Sequence, residues 1–294
     1  MSTAPPVPAA VTAPPPRARP SFGRFLRRNP TMALGGLILI VLLLLALAAP
    51  LFAGDPVGMT PAERLRPPSA AFWFGTDHLG RDVFARTVYG ARISLLVGLS
   101  VAIFSIVVGL AIGLVSGYFR KIDAVVMRLM DGLMAIPAIL LAIALVALTK
   151  ASVLIVIVAI TIPEVPRVVR LVRAVVLSVR EAPYVEAAVA SGTRTLRIIR
   201  RHILPNTIAP LIVQSTYICA SAILVEAALS FLGAGTPPDV PTWGNMIAQS
   251  RLYLSVAPWT IFCPGIALAI VVLAVNLLGD GLRDRLDPRL ARRM

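Results

Sequence analysis

Residues 32–53 read MALGGLILIVLLLLALAAPLFA, a run of 22 residues that holds no charged side chain. A helix rises about 1.5 Å per residue, so about 20 apolar residues suffice to cross a hydrocarbon core of about 30 Å. The run is too long for the apolar region of a signal peptide, which has about 7–15 residues. It therefore predicts a membrane-spanning helix that the mature chain retains.

Composition places the whole chain in the same class. Of its 294 residues, 57% are hydrophobic and 14% are charged, and the mean hydropathy is +0.85, whereas soluble domains hold about 25% charged residues. These values exclude a collagen-like chain, a disulfide scaffold and a soluble enzyme. The net charge of +14 is spread between apolar stretches rather than gathered in one patch, so we expect no nucleic-acid partner.

Further apolar stretches predict an all-α integral membrane protein with six transmembrane helices. After the first span, we place the others at residues 93–119, 132–149, 151–172, 207–232 and 257–279. Six crossings put both termini on one side. With that side inside, the inner segments hold 21 Lys and Arg residues and the outer segments 7, as the concentration of basic residues on the cytoplasmic side requires. We therefore predict a multi-pass protein of the inner (cytoplasmic) membrane with both termini in the cytoplasm.

The predicted spans divide the chain into three parts. Residues 1–31 form a Pro-rich, basic cytoplasmic tail, residues 32–279 form the transmembrane domain, and residues 280–294 form a second cytoplasmic tail. Three long connections are expected in the transmembrane domain: outer loops at 53–92 and 233–256, and a cytoplasmic loop at 173–206.

The fourth predicted span is interrupted by charge. Its uncharged part, residues 151–163, is only about 20 Å long as a helix, so the helix must continue past Pro163 and Pro166, where we expect kinks. The charged side chains that follow must face protein, headgroups or a wet cavity; they are Glu164, Arg167, Arg170 and Arg173. They belong either to a basic cytoplasmic flank or to the inner end of a substrate path.

Small residues recur in the second predicted span. Gly109, Gly113 and Gly117 are spaced by four residues, which puts them on one face of a helix. Such a face allows another helix to approach closely, and we interpret it as a packing surface.

The most informative connection is APYVEAAVASGTRTLRIIRRHILPN, residues 182–206. Pro183 suits the first turn of a helix, and Glu186 places a carboxylate near the positive end of that helix. Gly192 is then expected to break or turn the chain before a second helical piece, which we expect to end near Leu204 and Pro205. The loop thus predicts a short, rigid helix that another protein could push.

These residues resemble the cytoplasmic signature of ABC import permeases: Glu-Ala-Ala, three residues, Gly, nine residues, Ile, one residue, Leu-Pro. The matching positions are Glu186, Ala187, Ala188, Gly192, Leu204 and Pro205. His202 stands where the general pattern has Ile, a departure familiar in the peptide branch of the family. The resemblance implies that this loop is the coupling helix, which docks in a cleft of the ATPase subunit.

Three more stretches, at 74–95, 226–247 and 279–290, are similar to the second permease subunit of the dipeptide, oligopeptide and nickel transporter family. The resemblance covers residues 24–290 and implies the ABC importer type I permease fold. It also implies the partners: a homologous second permease subunit, two ABC ATPase subunits that carry ATP and Mg²⁺, and an extracytoplasmic peptide-binding protein. Membrane lipid surrounds such a chain, and di- or oligopeptides are its expected substrate.

Outside the loop, the candidates for pathway or gate residues are Asp77, Arg81, Asp82, Glu226 and Trp243. The first three lie in an expected outer turn, which is either tied by Asp–Arg pairs or in contact with the substrate-delivery protein. Glu226 lies inside an apolar span, where a carboxylate is costly and marks a function. It either binds the N-terminal amine of a peptide or hydrogen-bonds an outer gate.

Residues 233–258 are rich in Gly and Pro, which predicts an irregular outer loop or a partly re-entrant cap rather than a regular helix. Trp243 and Trp259 in this segment are expected at the membrane interface. An ordinary connector anchored by tryptophan is the alternative interpretation.

The sequence carries no motif for catalysis or for a cofactor of its own. No Gly-Lys-Ser/Thr phosphate loop is present, so ATP hydrolysis is expected on partner subunits. The two histidines and two cysteines are isolated, and no metal site is expected. Two other functions stay open: a nickel or glutathione importer of the same family, and an ion-coupled secondary transporter, which usually carries inverted repeats that we do not find here.

Overall fold

The computed structural model describes residues 29–149 and 151–286. Within these ranges every regular element is a helix, and the β-type pairing is limited to an isolated bridge between Thr76 and Asp82. The predicted all-α fold is confirmed. Residues 1–28, residue 150 and residues 287–294 lie outside the described chain, and with them most of the two predicted tails.

The helices of the described ranges are α1 (Pro30–Phe52), α2 (Val83–Tyr118), α3 (Arg120–Met134), α4 (Ala138–Ala147), α5 (Val153–Arg180), α6 (Pro183–Ala190), α7 (Thr195–Ile198), α8 (Leu204–Phe231), α9 (Trp243–Ser250) and α10 (Trp259–Leu286). Short 3₁₀ helices lie at Pro61–Glu63 and Arg251–Tyr253. A π-helix at Ile199–Ile203 joins α7 to α8.

Among the described residues, four helices are long and apolar enough to cross a membrane: Pro30–Phe52, Val83–Tyr118, Thr195–Phe231 and Trp259–Leu286. The pair α3 and α4 would form a fifth span, bent by 83°. The remaining predicted span is α5, which has 28 residues. It is long enough to cross, but it carries three charged residues between 164 and 170.

The third predicted span, residues 132–149, is not a single helix in the structure. Helix α3 ends at Met134, and α4 begins at Ala138, directly after Pro137. Proline lacks a backbone N–H and disfavours the helical conformation of the residue before it, here Ile136. The chain therefore turns by 83° between the two helices.

The helix that contains the second predicted span, residues 93–119, begins ten residues before that span, at Val83. The Asp82 carboxylate accepts a hydrogen bond from the N–H of Phe84 at 2.8 Å and so caps the first turn of α2. Helix α2 therefore includes the last ten residues of the predicted outer loop 53–92.

Helices α2 and α5 run side by side in the same direction along the glycine face. The facing pairs are Gly109 with Val168, Gly113 with Val172 and Gly117 with Val176. A Cβ on any of these glycines would come within 2.5–2.7 Å of the valine Cβ, so the packing prediction for the three glycines is confirmed.

The bundle has two distinct ends. Arg180, the last residue of α5, bonds the carbonyl oxygens of Gly117 and Tyr118 at 3.4 Å, and α6 follows directly; we call this the loop end. At the other end α2 begins and α8 finishes, and there the turn 76–82 lies; we call it the turn end.

Candidate functional site

The signature loop folds into a short helix, α6, at the loop end. Pro183 lies in its first turn, where the missing N–H would have no partner in the helix. Glu186 is also in the first turn, where its charge suits the positive end of the helix dipole. Val185 is fully buried, whereas Glu186 and Ala187 are exposed. One face of α6 thus packs on the bundle and the other is open.

Gly192 terminates this segment in the left-handed conformation, with φ of +74°. Its N–H bonds the carbonyl of Val189 at 2.9 Å, and the N–H of Thr193 bonds the carbonyl of Ala188 at 3.1 Å. No atom lies within 4 Å of the place a Cβ would occupy, so the backbone angle, not lack of space, requires glycine. The predicted turn at Gly192 is confirmed.

The second helical piece does not end near Leu204 and Pro205, as the sequence had predicted. The π-helix Ile199–Ile203 passes directly into α8, and the N–H of Leu204 bonds the carbonyl of Ile199, five residues back. Pro205 then lies in the first turn of α8. The wider π turn places the proline ring where it avoids the clash that a continuous α-helix would impose.

The predicted outer turn is held by a buried ion pair. Arg81 Nε donates to Asp77 Oδ2 at 2.6 Å, and both side chains are buried. Asp77 Oδ1 accepts the backbone N–H groups of Leu79 and Arg81. Asp82 does not join this pair, because it caps α2. The structure therefore brings Asp77 and Arg81 together as a tie and separates Asp82 from them.

The pKa values of two side chains in this turn, Asp82 and His78, depart from their ordinary values. Burial raises the pKa of the Asp82 carboxyl, against the effect of the N–H groups that it caps. The imidazole of His78 stacks on Tyr253 with ring centroids 5.3 Å apart. Burial lowers the pKa of His78; Asp77 opposes this shift, and nearby arginines add to it. The charged form of His78 is therefore disfavoured.

The segment 233–258 contains a helix that the sequence analysis missed. Helix α9 begins after Pro241, and Thr242 caps it by accepting a hydrogen bond from the N–H of Asn245 at 3.1 Å. The side-chain amide of Asn245 donates to four oxygens of residues 236–240. The Gly- and Pro-rich chain is thus folded onto α9, and we call residues 233–258 the cap.

Trp243 lies in the protein interior, not at the membrane interface as predicted. Its side chain is 1% exposed, and its Nε1 donates to the carbonyl of Thr87 on α2 at 2.9 Å. The ring packs on Gly90, where a Cβ would lie 3.2 Å from an indole carbon. Trp259 similarly donates to the carbonyl of Thr76, at 3.3 Å. Through these hydrogen bonds Trp243 links α9 to α2, and Trp259 links α10 to the turn 76–82.

Glu226 is fully buried where α8 meets the cap. Its Oε1 accepts a hydrogen bond from the Ser230 hydroxyl at 2.9 Å, and the hydroxyls of Thr236 and Thr242 lie beside the carboxyl. Its Oε2 has no hydrogen-bond partner among the described residues. Contact with the cap is what the gate hypothesis requires, whereas binding of a peptide amine would first require the cap to open.

Charged side chains of α5 are paired within the protein. The pairs are Arg167 with Glu164 at 2.7 Å, Arg170 with Asp131, and Arg173 with Asp123. Two of them reach from α5 to α3. Glu164 is buried, which agrees with the expectation that it faces protein, while Arg167 and Arg170 stay nearly half exposed.

A groove of about 520 Å³ lies between α5, α8 and α10 and was not predicted from the sequence. Its lining is mostly apolar, and its polar part comes from Gln214, Thr216, Tyr217, Asn276, Asp280 and Arg283. The last three recur at i, i+4 and i+7 on α10, which places them on one helix face. Polar residues at helical spacing in an otherwise apolar span were the signal that could have found the groove.

The described residues form no group of three or more His, Cys, Asp or Glu side chains that could hold a metal ion. Cys219 and Cys263 are free thiols. Cys219 lines an apolar surface groove together with leucines of α1 and α2.

The chain has close relatives among known proteins. Residues 105–292 match the family described as binding-protein-dependent transport system inner membrane component. A probable peptide ABC transporter permease protein of Sinorhizobium fredii is 63% identical over 270 residues, which cover 92% of this chain and 93% of the relative. The dipeptide transport system permease protein DppC of Alkalihalophilus pseudofirmus is 45% identical, with coverage of 90% and 88%. The oligopeptide transport system permease protein OppC of Bacillus subtilis is 38% identical, with coverage of 90% and 88%.

A solved structure shares the fold. A chain of the MetNI methionine ABC transporter, in an inward-facing conformation, matches with a TM-score of 0.54 and 20% identity, over 69% of this chain and 96% of that chain. The helical architecture is thus the ABC importer type I permease fold. On the family match and the identity to its relatives, the chain belongs to the family of binding-protein-dependent transport system inner membrane components, the permeases of ABC transporters.

Proposed function

We propose that the chain is the second permease subunit of an ATP-driven importer of di- or oligopeptides. It forms the membrane pathway with a homologous permease, and an extracytoplasmic peptide-binding protein delivers the substrate. Two ABC ATPase subunits carry ATP and Mg²⁺, and α6 receives their motion. Both termini and α6 face the cytoplasm in this arrangement, which the excess of Lys and Arg at the loop end supports.

The packing of α6 against the rest of the bundle is the observation that carries this proposal. Val185 anchors the helix in a buried cluster that includes Ile198 and Ile203 of the following segment. Asn206, at the start of α8, donates to the Tyr184 hydroxyl at 3.5 Å. A displacement of α6 is therefore passed to α8 through side-chain contacts as well as through the chain.

The open side of the loop has the character of a protein-binding surface. Tyr184 and Val189 are half exposed, and Leu196 is 76% exposed. Glu186 is exposed beside them, and exposed arginines follow at 194, 197, 200 and 201. Exposed apolar groups rimmed by charge are typical of protein–protein contacts, which supports docking of an ATPase subunit here. The signature residues Ala187, Ala188 and Gly192 shape this surface.

Peptide as the substrate is supported by the relatives, which are named for peptide, dipeptide and oligopeptide transport. The groove between α5, α8 and α10 offers amide, hydroxyl and charged groups of the kinds that bind peptide amides and termini. The same-family alternative is a nickel or glutathione importer, and the alternative of a different class is an ion-coupled secondary transporter.

Purification from native membranes tests the proposal. We expect the tagged chain to co-purify in mild detergent with one homologous permease and two ATPase subunits. In vesicles, the complex should import a labelled dipeptide when both ATP and the binding protein are supplied. Import of Ni²⁺ or glutathione but not of peptides would overturn the substrate assignment. Uptake driven by a proton gradient, without any ATPase subunit, would overturn the importer assignment.

A pair of charge reversals tests the role of α6. Glu186→Arg changes the exposed face of the helix, and we expect loss of ATPase subunits or of ATP-driven uptake. Asp55→Arg is the matched control, because Asp55 is an exposed carboxylate at the turn end. Equal uptake by both variants and the unmodified complex would contradict the coupling role.

A further inference from the structure

Two arginines and one aspartate are buried together at the turn end. Arg86, near the start of α2, is 1% exposed, and Arg81 and Asp77 are buried beside it. Asp77 is paired with Arg81 at 2.6 Å, whereas its closest approach to Arg86 is 3.9 Å, from the same carboxylate oxygen. Arg81 also donates to Gln249 Oε1 at 2.7 Å. The buried cluster therefore carries two positive charges and one negative charge.

The described groups near this cluster do not neutralise its excess positive charge. Asp239 of the cap attracts Arg86, but its side chain is exposed to solvent. The Asp82 carboxylate is directed to the N–H of Phe84 that it caps, and an imidazole such as that of His78 supplies no negative charge. Among the described residues, Asp77 is the carboxylate that lies within 4 Å of Arg86. A buried charge without a full counter-charge is among the costliest arrangements in a protein.

Arg86 lines a small cavity and has an unsatisfied donor. Its Nη1 donates to the carbonyl of Pro56 at 3.3 Å, but its Nη2 has no hydrogen-bond partner among the described residues. The cavity is lined by Arg86, Asp77, Val83, Met246, Gln249, Ser250 and Thr260. It leaves about 10 Å³ for the centre of a sphere the size of a water molecule. One particle of that size fits, whereas an organic carboxylate or a phosphate group does not.

We propose that this cavity binds one chloride ion, held by the Nη2 group of Arg86 and the hydroxyl of Ser250. Chloride is somewhat larger than a water molecule, so the cavity must widen slightly to hold it, and the ion then satisfies the free donor and the excess positive charge together. A water molecule would satisfy the donor and leave the charge unbalanced. The lining residues come from the turn, from α2, from α9 and from α10, so the bound ion stabilises the packing of the cap on the bundle.

Thermal unfolding of the detergent-purified permease complex tests the site. The complex is melted in sodium chloride and in sodium gluconate at equal ionic strength, because gluconate is too large for the cavity. We expect chloride to raise the midpoint by about 2–4 °C in a saturable way, and bromide to do the same. Identical melting curves in chloride and gluconate would show that the cavity holds water only, and would overturn the proposal.

Two substitutions locate the response. Arg86→Gln keeps a hydrogen-bond donor and removes the charge, and we expect it to abolish the difference between chloride and gluconate. Arg66→Gln is the matched control, because Arg66 is an exposed arginine of the same end, paired with Glu63 at 2.6 Å; it should keep the full response. A halide response that persists in Arg86→Gln would place the ion elsewhere and contradict the assignment.

Two further measurements apply even where Arg86→Gln fails to assemble. Ser250→Ala keeps the charge and removes one ligand, and we expect it to raise the half-saturating chloride concentration several-fold. Crystals of the complex grown in bromide should show an anomalous peak within hydrogen-bond distance of Arg86 Nη2. An unchanged half-saturation in Ser250→Ala, or bromide peaks only at other places, would argue against the site.

Discussion

Gly113 on α2 lies so close to Val172 on α5 that a Cβ at Gly113 would come within 2.7 Å of the valine Cβ and 3.0 Å of the Val169 carbonyl oxygen. The contact repeats one turn before and one turn after. Helices approach this closely only where one of them lacks side chains, so the glycines set the distance between α2 and α5 at the loop end.

Replacement of Gly113 by Ala should therefore destabilise the protein by about 1–3 kcal/mol, because the new methyl group overpacks a site bounded by backbone. The midpoint of thermal unfolding of the purified complex measures the effect. Gly265→Ala in α10 is the control, since nothing lies within 4 Å of its Cβ position and alanine is the better helix former. A Gly113→Ala variant that melts at or above the unmodified temperature would contradict the packing argument.

Gly192→Ala should uncouple ATP hydrolysis from transport. The left-handed conformation costs alanine about 1–2 kcal/mol, which shifts the balance away from the native turn by a factor of about 5–30 and changes the presentation of α6. The number of peptides imported per ATP hydrolysed, in vesicles, is the measurement. Gly192→Asn is the matched variant, because asparagine tolerates this conformation better, and it should retain more of the coupling. The same coupling ratio in Gly192→Ala and in the unmodified complex would count against this role of the turn.

Glu226→Gln should reduce peptide uptake about tenfold or more while membrane insertion stays intact. A glutamine amide has one acceptor oxygen, whereas the Glu226 carboxylate has two, so the amide cannot replace both the oxygen that accepts from Ser230 and the second carboxylate oxygen. A loss of about 1.4 kcal/mol in the transition state lowers the rate tenfold. Uptake kinetics and the amount of protein in the membrane are measured together. Asp284→Asn, at an exposed carboxylate near the end of α10, controls for loss of charge alone. Unchanged uptake by Glu226→Gln would remove both functions suggested for this residue.

The stability of the complex should fall on acidification partly through His78. Burial lowers the pKa of this imidazole in the folded chain from its ordinary value of 6.5, so below that pH the unfolded chain binds a proton that the folded chain resists. The stability that depends on neutral His78 is therefore fully present above pH 6.5 and is lost as the pH falls below this value. His78→Gln should show a smaller drop in melting temperature between about pH 7.5 and about pH 5.5. An equal or larger drop in the variant would refute the shift.

Features governed by local spacing were predictable from the sequence. The glycine face of α2 needed only the helical repeat of Gly109, Gly113 and Gly117, and the turn at Gly192 needed only the conformational freedom of glycine. The all-α membrane fold followed from the length of the apolar stretches. In each case one segment holds the whole signal, because backbone geometry alone determines the outcome.

Features that depend on distant partners were not predictable. Trp243 is buried because its indole N–H donates to the carbonyl of Thr87 and its ring packs on Gly90. Both residues lie about 150 positions away along the chain. The extra turns at the start of α2 depend on one cap, Asp82, whose role in a loop of mixed charge has no periodic signal. The polar face of Asn276, Asp280 and Arg283 was visible as a pattern, but the groove exists only because α5 and α8 leave it open.

The unbroken passage from the π-helix into α8 has a mechanical consequence. Thr195–Phe231 is one continuous helical segment of 37 residues, about 55 Å long at 1.5 Å per residue. A tilt of about 5° at its loop end would carry its far end sideways by about 5 Å, close to one helical pitch. This helical segment thus acts as a lever that reaches Ser230. The hydrogen bonds of the cap resist its movement.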